Sequence, residues 1–215
     1  MSELKKYRHI IWDWNGTLFD DAWLCLETIN WLLAKHGLEE LTGERYREVF
    51  DFPVKDYYLS AGFDLDSYTF EELGTEFMTE YQRRLQECSI RDDARFVLQE
   101  VLRRGGTQSI LSAYKETWLH RVVASFGIEQ HFQKLIGASD YYAHGKVDNG
   151  LQWIKELGLP TEDVVMVGDT IHDHEVASAM GIECILIDGG NQARHRLEKC
   201  SVPIVSTLSE LLELF

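Results

Sequence analysis

In His9-Ile10-Ile11-Trp12-Asp13-Trp14-Asn15-Gly16-Thr17-Leu18, a short apolar run ends in a carboxylate and then meets a Gly-Thr turn. The run has the length and composition of a buried strand. Asp13 therefore falls at a strand end, where its side chain can project into the space beyond a sheet. A carboxylate so placed can attack phosphorus and form an aspartyl-phosphate, dividing one displacement into two easier ones. Gly16 lets the backbone turn closely past a ligand, and Thr17 offers a hydroxyl for a hydrogen bond or a cap. An ordinary strand-end Asp before a glycine turn is the competing reading, and only context separates the two.

Outward from this stretch, strand-like runs recur at 107–112, 163–167 and 182–187, with a short last one near Pro203–Val205. Helical patterns occupy 93–104, 115–126, 147–157 and 172–180 between them. Leu208, Leu211, Leu212 and Phe215 repeat at the spacing of a closing helix over 208–214. Strands spaced by helices predict an α/β fold with a mostly parallel sheet covered on both faces. The segment 21–88 reads differently: helical patterns at 22–36, 43–50, 54–61 and 68–88, broken at Gly37, Pro53 and Gly62, without a convincing strand. This predicts a core made of 1–20 and 89–215, with 21–88 inserted as a helical cap. The insertion follows the first strand's carboxyl end, where ligands bind in open α/β sheets.

Composition narrows the function classes. With 45% hydrophobic residues in 215, the chain can bury one substantial core and a smaller second unit. Its 21 basic and 36 acidic residues give a net charge of −15, which disfavours nucleic acid and anionic membrane as partners. An anionic substrate stays open, because a metal ion and a few bases can reverse the sign within one cleft. No run approaches the roughly 18 apolar residues of a membrane span. Met1–Lys6 is polar and unlike a secretion signal. Cys25, Cys88, Cys184 and Cys200 are far apart, as reduced thiols of a cytoplasmic protein would be. No obligatory protein partner is evident.

Three further places can carry chemistry. Ser112 ends the second run, and its hydroxyl with the backbone N–H groups beside it, around Ala113, could hold phosphoryl oxygens. Taken alone it reads first as the cap of a helix beginning at Lys115, and its place at a parallel-strand end brings in the phosphate reading. Lys146, in Ala143-His144-Gly145-Lys146-Val147, could offset repulsion between a phosphate dianion and an attacking carboxylate, or be an ordinary solvated lysine. In Gly168-Asp169-Thr170-Ile171-His172-Asp173, two carboxylates follow an apolar run, and such oxygen donors suit magnesium. Asp169 is the stronger ligand candidate. Asp173 could ligate, act through water, hold Lys146 or cap the helix. His172 and His174 are two apart and would not share a helix face, which argues against a transition-metal pair. Trp12, Trp14 and Trp23 read as cleft or core residues, core at least as readily.

In order and spacing these places resemble the haloacid dehalogenase-like hydrolase superfamily, in its phosphoglycolate-phosphatase-like and β-phosphoglucomutase-like branch with a helical cap. The resemblance spans essentially the whole chain. Asp13-Trp14-Asn15-Gly16-Thr17-Leu18 is similar to the nucleophile loop, Ser112 to the phosphate-binding hydroxyl, Lys146 to the family lysine, and Gly168-Asp169-Thr170 with Asp173 to the acidic metal loop. It implies a Rossmann-like core, and Mg²⁺ held by Asp13, Asp169 and the backbone carbonyl of Asn15. Asn15 stands where such phosphatases carry a second Asp, the acid–base residue. Val147 stands where Pro is frequent, and Ala113 and Tyr114 replace residues that are usually small or Asn.

The resemblance implies a Mg²⁺-dependent phosphatase for a small phosphorylated metabolite, slowed by the amide at position 15. A phosphate-binding or regulatory protein with little turnover is the alternative that Asn15 favours. Phosphonate or carbon–halogen hydrolysis ranks below both. Lys55, near the Pro53 break, is a candidate leaving-group contact, with solvation the simpler reading.

Overall fold

The computed structural model describes residues 7–139 and 146–214; Met1–Lys6, the 143–145 part of the lysine motif and Phe215 of the closing helix lie outside them. Six strands form one sheet: β1 (His9–Trp12), β4 (Thr107–Lys115), β5 (Lys134–Ala138), β6 (Val164–Gly168), β7 (Glu183–Ile187) and β8 (Ile204–Val205). Their order is β5-β4-β1-β6-β7-β8, and every pairing is parallel. Alternation along β1 explains why both faces need cover. Ile10 and Trp12 join one apolar cluster and Ile11 the other. The first face is closed by α5 (Ala94–Arg103), α6 (Glu116–Ser125) and the 208–214 segment; the second by α7 (Lys146–Leu157) and α8 (Ile171–Met180).

Between β1 and β4 the chain leaves the sheet. A two-residue strand β2 (Phe19–Asp20) pairs antiparallel with β3 (Ser89–Ile90), and the segment between them carries α1 (Ala22–Lys35), α2 (Gly43–Val49), α3 (Val54–Ala61) and α4 (Phe70–Arg84). These helices have an apolar cluster of their own around Ile29, Leu33, Tyr46, Tyr57, Tyr58 and Leu73. The result is an α/β, Rossmann-like parallel sheet with an inserted helical cap. A short helix α9 (Arg194–Leu197) precedes β8.

Three features depart from the sequence reading. β5 was not anticipated: Lys134–Ala138 is a five-residue run whose first two positions are only half-buried, too weak an apolar signal beside its neighbours. The second predicted strand does not stop at Ser112 but runs to Lys115, with its pairing to β5 interrupted between Leu111 and Lys115. The closing segment Leu208–Leu214 is a 3₁₀ helix, although Leu208, Leu211 and Leu212 are buried as expected.

Candidate active site

The strand order reverses beside β1, and the carboxyl ends of parallel strands open a crevice there. Asp13 follows β1 and is anchored by its N–H donating to Val167 O at 2.8 Å. The chain then turns back on itself: the N–H groups of Thr17, Leu18 and Phe19 all donate to Trp14 O. Gly16 sits in this turn at φ +72°. A Cβ there would stand 2.2 Å from Asp169 Oδ2, so both backbone conformation and space demand glycine.

The turn brings the acidic groups together. Asp13, Asp169 and Asp173 are buried, with one oxygen from each within 4.8 Å of the others. Lys146, the first residue of α7 and 4% exposed, donates from Nζ to Asp13 Oδ1 and Asp173 Oδ1, both at 2.6 Å. It is no solvated surface lysine. Asp173 Oδ2 also accepts from Thr170 N and Oγ1, in a reciprocal cap at the start of α8. The two readings of Asp173, lysine holder and helix cap, are therefore both realised. Asp169 Oδ1 accepts from Thr17 Oγ1, and Oδ2 accepts from Asn191 N at 2.6 Å and Asn191 Nδ2 at 3.0 Å.

Ser112 and Ala113 line the same cavity as these four residues. They lie in the stretch where β4 loses its register with β5, a local break of the kind that re-aims side chains beside active sites. Ser112 Oγ accepts from Tyr114 N at 3.0 Å, while α6 has no side-chain cap, so the cap alternative for Ser112 is not realised.

Charge dominates this end of the cavity. Burial raises the Asp13 carboxyl, Lys146 pulls it back and Asp173 pushes it up again; the net direction is upward. Burial likewise raises Asp169, helped by Asp13 and Asp173. Burial opposes the charged form of Asp173, but the Lys146 ammonium and the bonds from Lys146 and Thr170 hold it down. Burial opposes the Lys146 ammonium too, and Asp13 and Asp173 outweigh it, so Lys146 stays charged. Three carboxylates against one ammonium leave excess negative charge among oxygen-only donors, which fits a hard divalent cation such as Mg²⁺.

Asn15 is occupied. Its Nδ2 donates to Asp21 Oδ2 at 2.7 Å and to Tyr81 OH at 3.1 Å. Tyr81 OH donates to Asp21 Oδ2 at 2.5 Å, and Gly16 N donates to Asp21 Oδ1 at 2.8 Å. Asp21 is fully buried, and burial raises its carboxyl against the pull of these bonds. Sequence reasoning missed Asp21, Tyr81 and Asn191. Asn191 follows Gly189-Gly190 at the carboxyl end of β7, so the strand-end rule that found Asp169 also reaches it. Tyr81 lies 60 residues from Asp21 and carries no local signal.

The remaining sequence readings meet different outcomes. Lys55 is exposed on α3 and does not line the cavity. Trp12 and Trp14 are fully buried core residues, and Trp23 lies near the surface beneath Arg84. His172 stacks on Phe52 with ring centroids 4.6 Å apart. All four cysteines are unpaired, and among the described residues no helix is long and apolar enough to cross a membrane.

The fold has its counterpart in known proteins. The profile of the haloacid dehalogenase-like hydrolases matches residues 10–187, and the chain belongs to that family. It is 28% identical over 209 residues to the tyrosine-protein kinase PtkA of Mycobacterium tuberculosis, covering 95% of this chain and 71% of that protein. It is 27% identical over 181 residues to a phosphoglycolate phosphatase of Xanthomonas campestris pv. campestris, covering 83% and 81%. A haloacid dehalogenase-like hydrolase structure from Streptococcus pneumoniae superposes with a TM-score of 0.84 at 19% identity, over 98% of this chain and 99% of that one, which speaks for the fold.

Proposed function

We propose that the chain is a Mg²⁺-dependent phosphatase acting on a small phosphorylated metabolite through an aspartyl-phosphate on Asp13. The convergence of Asp13, Lys146, Asp169 and Asp173 at one strand-end crevice carries this reading. Family membership supports it. Relatives bear names of both kinase and phosphatase, and what those names share is phosphoryl chemistry.

Asp13 attacks phosphorus. Ser112 and the backbone around Ala113 receive the phosphoryl oxygens, and Lys146 offsets the repulsion between dianion and carboxylate. Asp13, Asp169 and the Asn15 carbonyl would hold Mg²⁺, with Asp173 near enough to contribute while it orients Lys146. The cation supplies Lewis-acid neutralisation of phosphoryl charge. Water then cleaves the acyl phosphate and regenerates Asp13. Residues 21–88 act as the cap that excludes larger ligands, and the β2–β3 pair at its base supports that boundary. Four unpaired thiols are compatible with a cytoplasmic protein.

A screen of phosphorylated metabolites with and without Mg²⁺, run beside Asp13→Asn, tests the reading. Phosphate release that needs both Mg²⁺ and Asp13 is the expected result. Release that survives Asp13→Asn contradicts it. Specific binding of phosphate esters without turnover would favour a regulatory protein instead.

A further inference from the structure

The cavity that begins at Asp13 does not end there. It has a volume of about 610 Å³ and extends under the cap, between α2, α3 and α4 on one side and the end of β4 with α6 on the other. Tyr46, Phe50, Tyr57, Phe77, Tyr114 and Trp118 line it. The phosphate of any ester fills only the charged end, so the leaving group must occupy this aromatic part. Polar groups on this wall are few, among them Thr75, Thr79 and the Tyr57 hydroxyl, so a polyhydroxylated leaving group would lose more water contacts than it gains partners. A flat apolar ring suits such walls, since aromatic pairs gain beyond their buried area.

A second observation concerns the proton. Both N–H bonds of the Asn15 amide are spent on Asp21 and Tyr81, and the Tyr81 hydroxyl spends its own on Asp21. Position 15 therefore offers no proton to a departing oxygen. An aliphatic alkoxide, whose conjugate acid is about as weak as water, leaves poorly without one. A phenolate, whose acid ionises near pH 10, needs far less help.

We infer that the substrate is a small aryl phosphate, a phosphomonoester of a phenolic hydroxyl whose ring occupies the aromatic half of the cavity. The inference rests on the phosphatase reading above. In the first step the Asp13 carboxylate forms a bond to phosphorus, and the bond from phosphorus to the aryl oxygen breaks with its electron pair on oxygen. Phenolate departs unprotonated and takes a proton from water after release. Water then attacks phosphorus, the bond to Asp13 breaks with its electrons returning to the carboxylate, and the water's protons leave on inorganic phosphate and to solvent.

The test uses the full chain with Mg²⁺ and four probes: phenyl, benzyl, ethyl and acetyl phosphate. Phenyl phosphate carries both ring and good leaving group, benzyl only the ring, acetyl only the leaving group and ethyl neither. In rapid-quench bursts, which read the first step before the shared phosphoenzyme is hydrolysed, phenyl phosphate should release its alcohol about 100-fold faster than benzyl phosphate, within the range that general-acid help is worth. The expected KM for benzyl lies about tenfold below that for ethyl, the scale of one modest apolar contact. Phenylphosphonate should bind about tenfold more tightly than ethylphosphonate by calorimetry, and Trp118→Leu or Phe50→Leu should shrink that ratio. Equal burst rates for benzyl and phenyl phosphate would mean another group supplies the proton and would overturn the assignment, as would equal binding of the two phosphonates. A short phosphotyrosine peptide turned over faster than phenyl phosphate would overturn the restriction to a small ligand. In those cases the phosphatase reading survives. Turnover of none of the four defeats that reading and the substrate with it.

Discussion

The two ends of the cavity are built by opposite strategies. At the sheet end, Asp13, Lys146, Asp169 and Asp173 come from strand termini and the helices after them, each held by two or more polar partners. At the cap end, the lining comes from four helices and a strand end, and it is mostly rings packed on rings, such as Tyr46 on Tyr57 and Tyr114 on Trp118. The sheet end is expensive to bury, and a change of charge there alters the balance among its neighbours. The cap end is cheap to bury and can be resized. On the proposed function, chemistry and selectivity fall on different parts of the chain. They are joined where Tyr46 OH donates to Asn191 Oδ1, on the residue that holds Asp169.

The sharpest way to break this comparison is at Asp13. Asp13→Asn should lower turnover by at least about 10³-fold, because the amide keeps the size of the side chain and loses the nucleophile. Circular dichroism should show the fold intact. Lys146→Met comes next. It strands two buried carboxylates and should cost about 3–5 kcal/mol in denaturant unfolding, with kcat about 10²-fold lower. Adding Mg²⁺ should return part of that stability, since a cation replaces the missing charge.

Asn15→Asp probes the seam between the two ends. By family likeness this change restores an acid–base group and should raise activity. The structure argues for a different outcome, because a carboxylate at 15 would face Asp21 across the 2.7 Å contact now made by the amide. Two carboxyl groups sharing a buried site cannot both ionise readily. The single substitution should destabilise the protein by about 2–3 kcal/mol with little gain in alkyl phosphate turnover. Asn15→Asp with Asp21→Asn should recover the stability, because the amide and carboxylate merely trade places. A stable, faster single variant would show that Asp21 does not hold position 15. Lys55→Ala should change stability by no more than about 0.5 kcal/mol and leave the pocket unaltered, as an exposed lysine away from any network does.

How legible each end was in the sequence follows from its construction. Parallel strands end in one crevice, so an apolar run followed by Asp13, Ser112 or Asp169 names its own place in space. Lys146 needed the family pattern as well, because its place before a helix and between two strands only balances the solvated-lysine reading. The cap wall left no comparable trace. Tyr46, Tyr57 and Phe77 sit at helical spacings that read equally well as core packing, and several of them do serve the cap's own cluster. The Asp21 network was illegible for another reason: its partners at 15, 16 and 81 meet only after α4 folds back over the turn that follows Asp13. β2 and β3 are two residues each, below any periodicity.

The central claim is that phosphorus passes through Asp13. Rapid acid quench of the full chain during turnover of phenyl phosphate, followed by proteolysis and mass spectrometry, addresses it directly. The account predicts a phosphate adduct on the peptide carrying Asp13, labile to hydroxylamine as an acyl phosphate is, and absent from Asp13→Asn. Turnover without any adduct in single-turnover time courses, or an adduct on another residue that persists in Asp13→Asn, would contradict it.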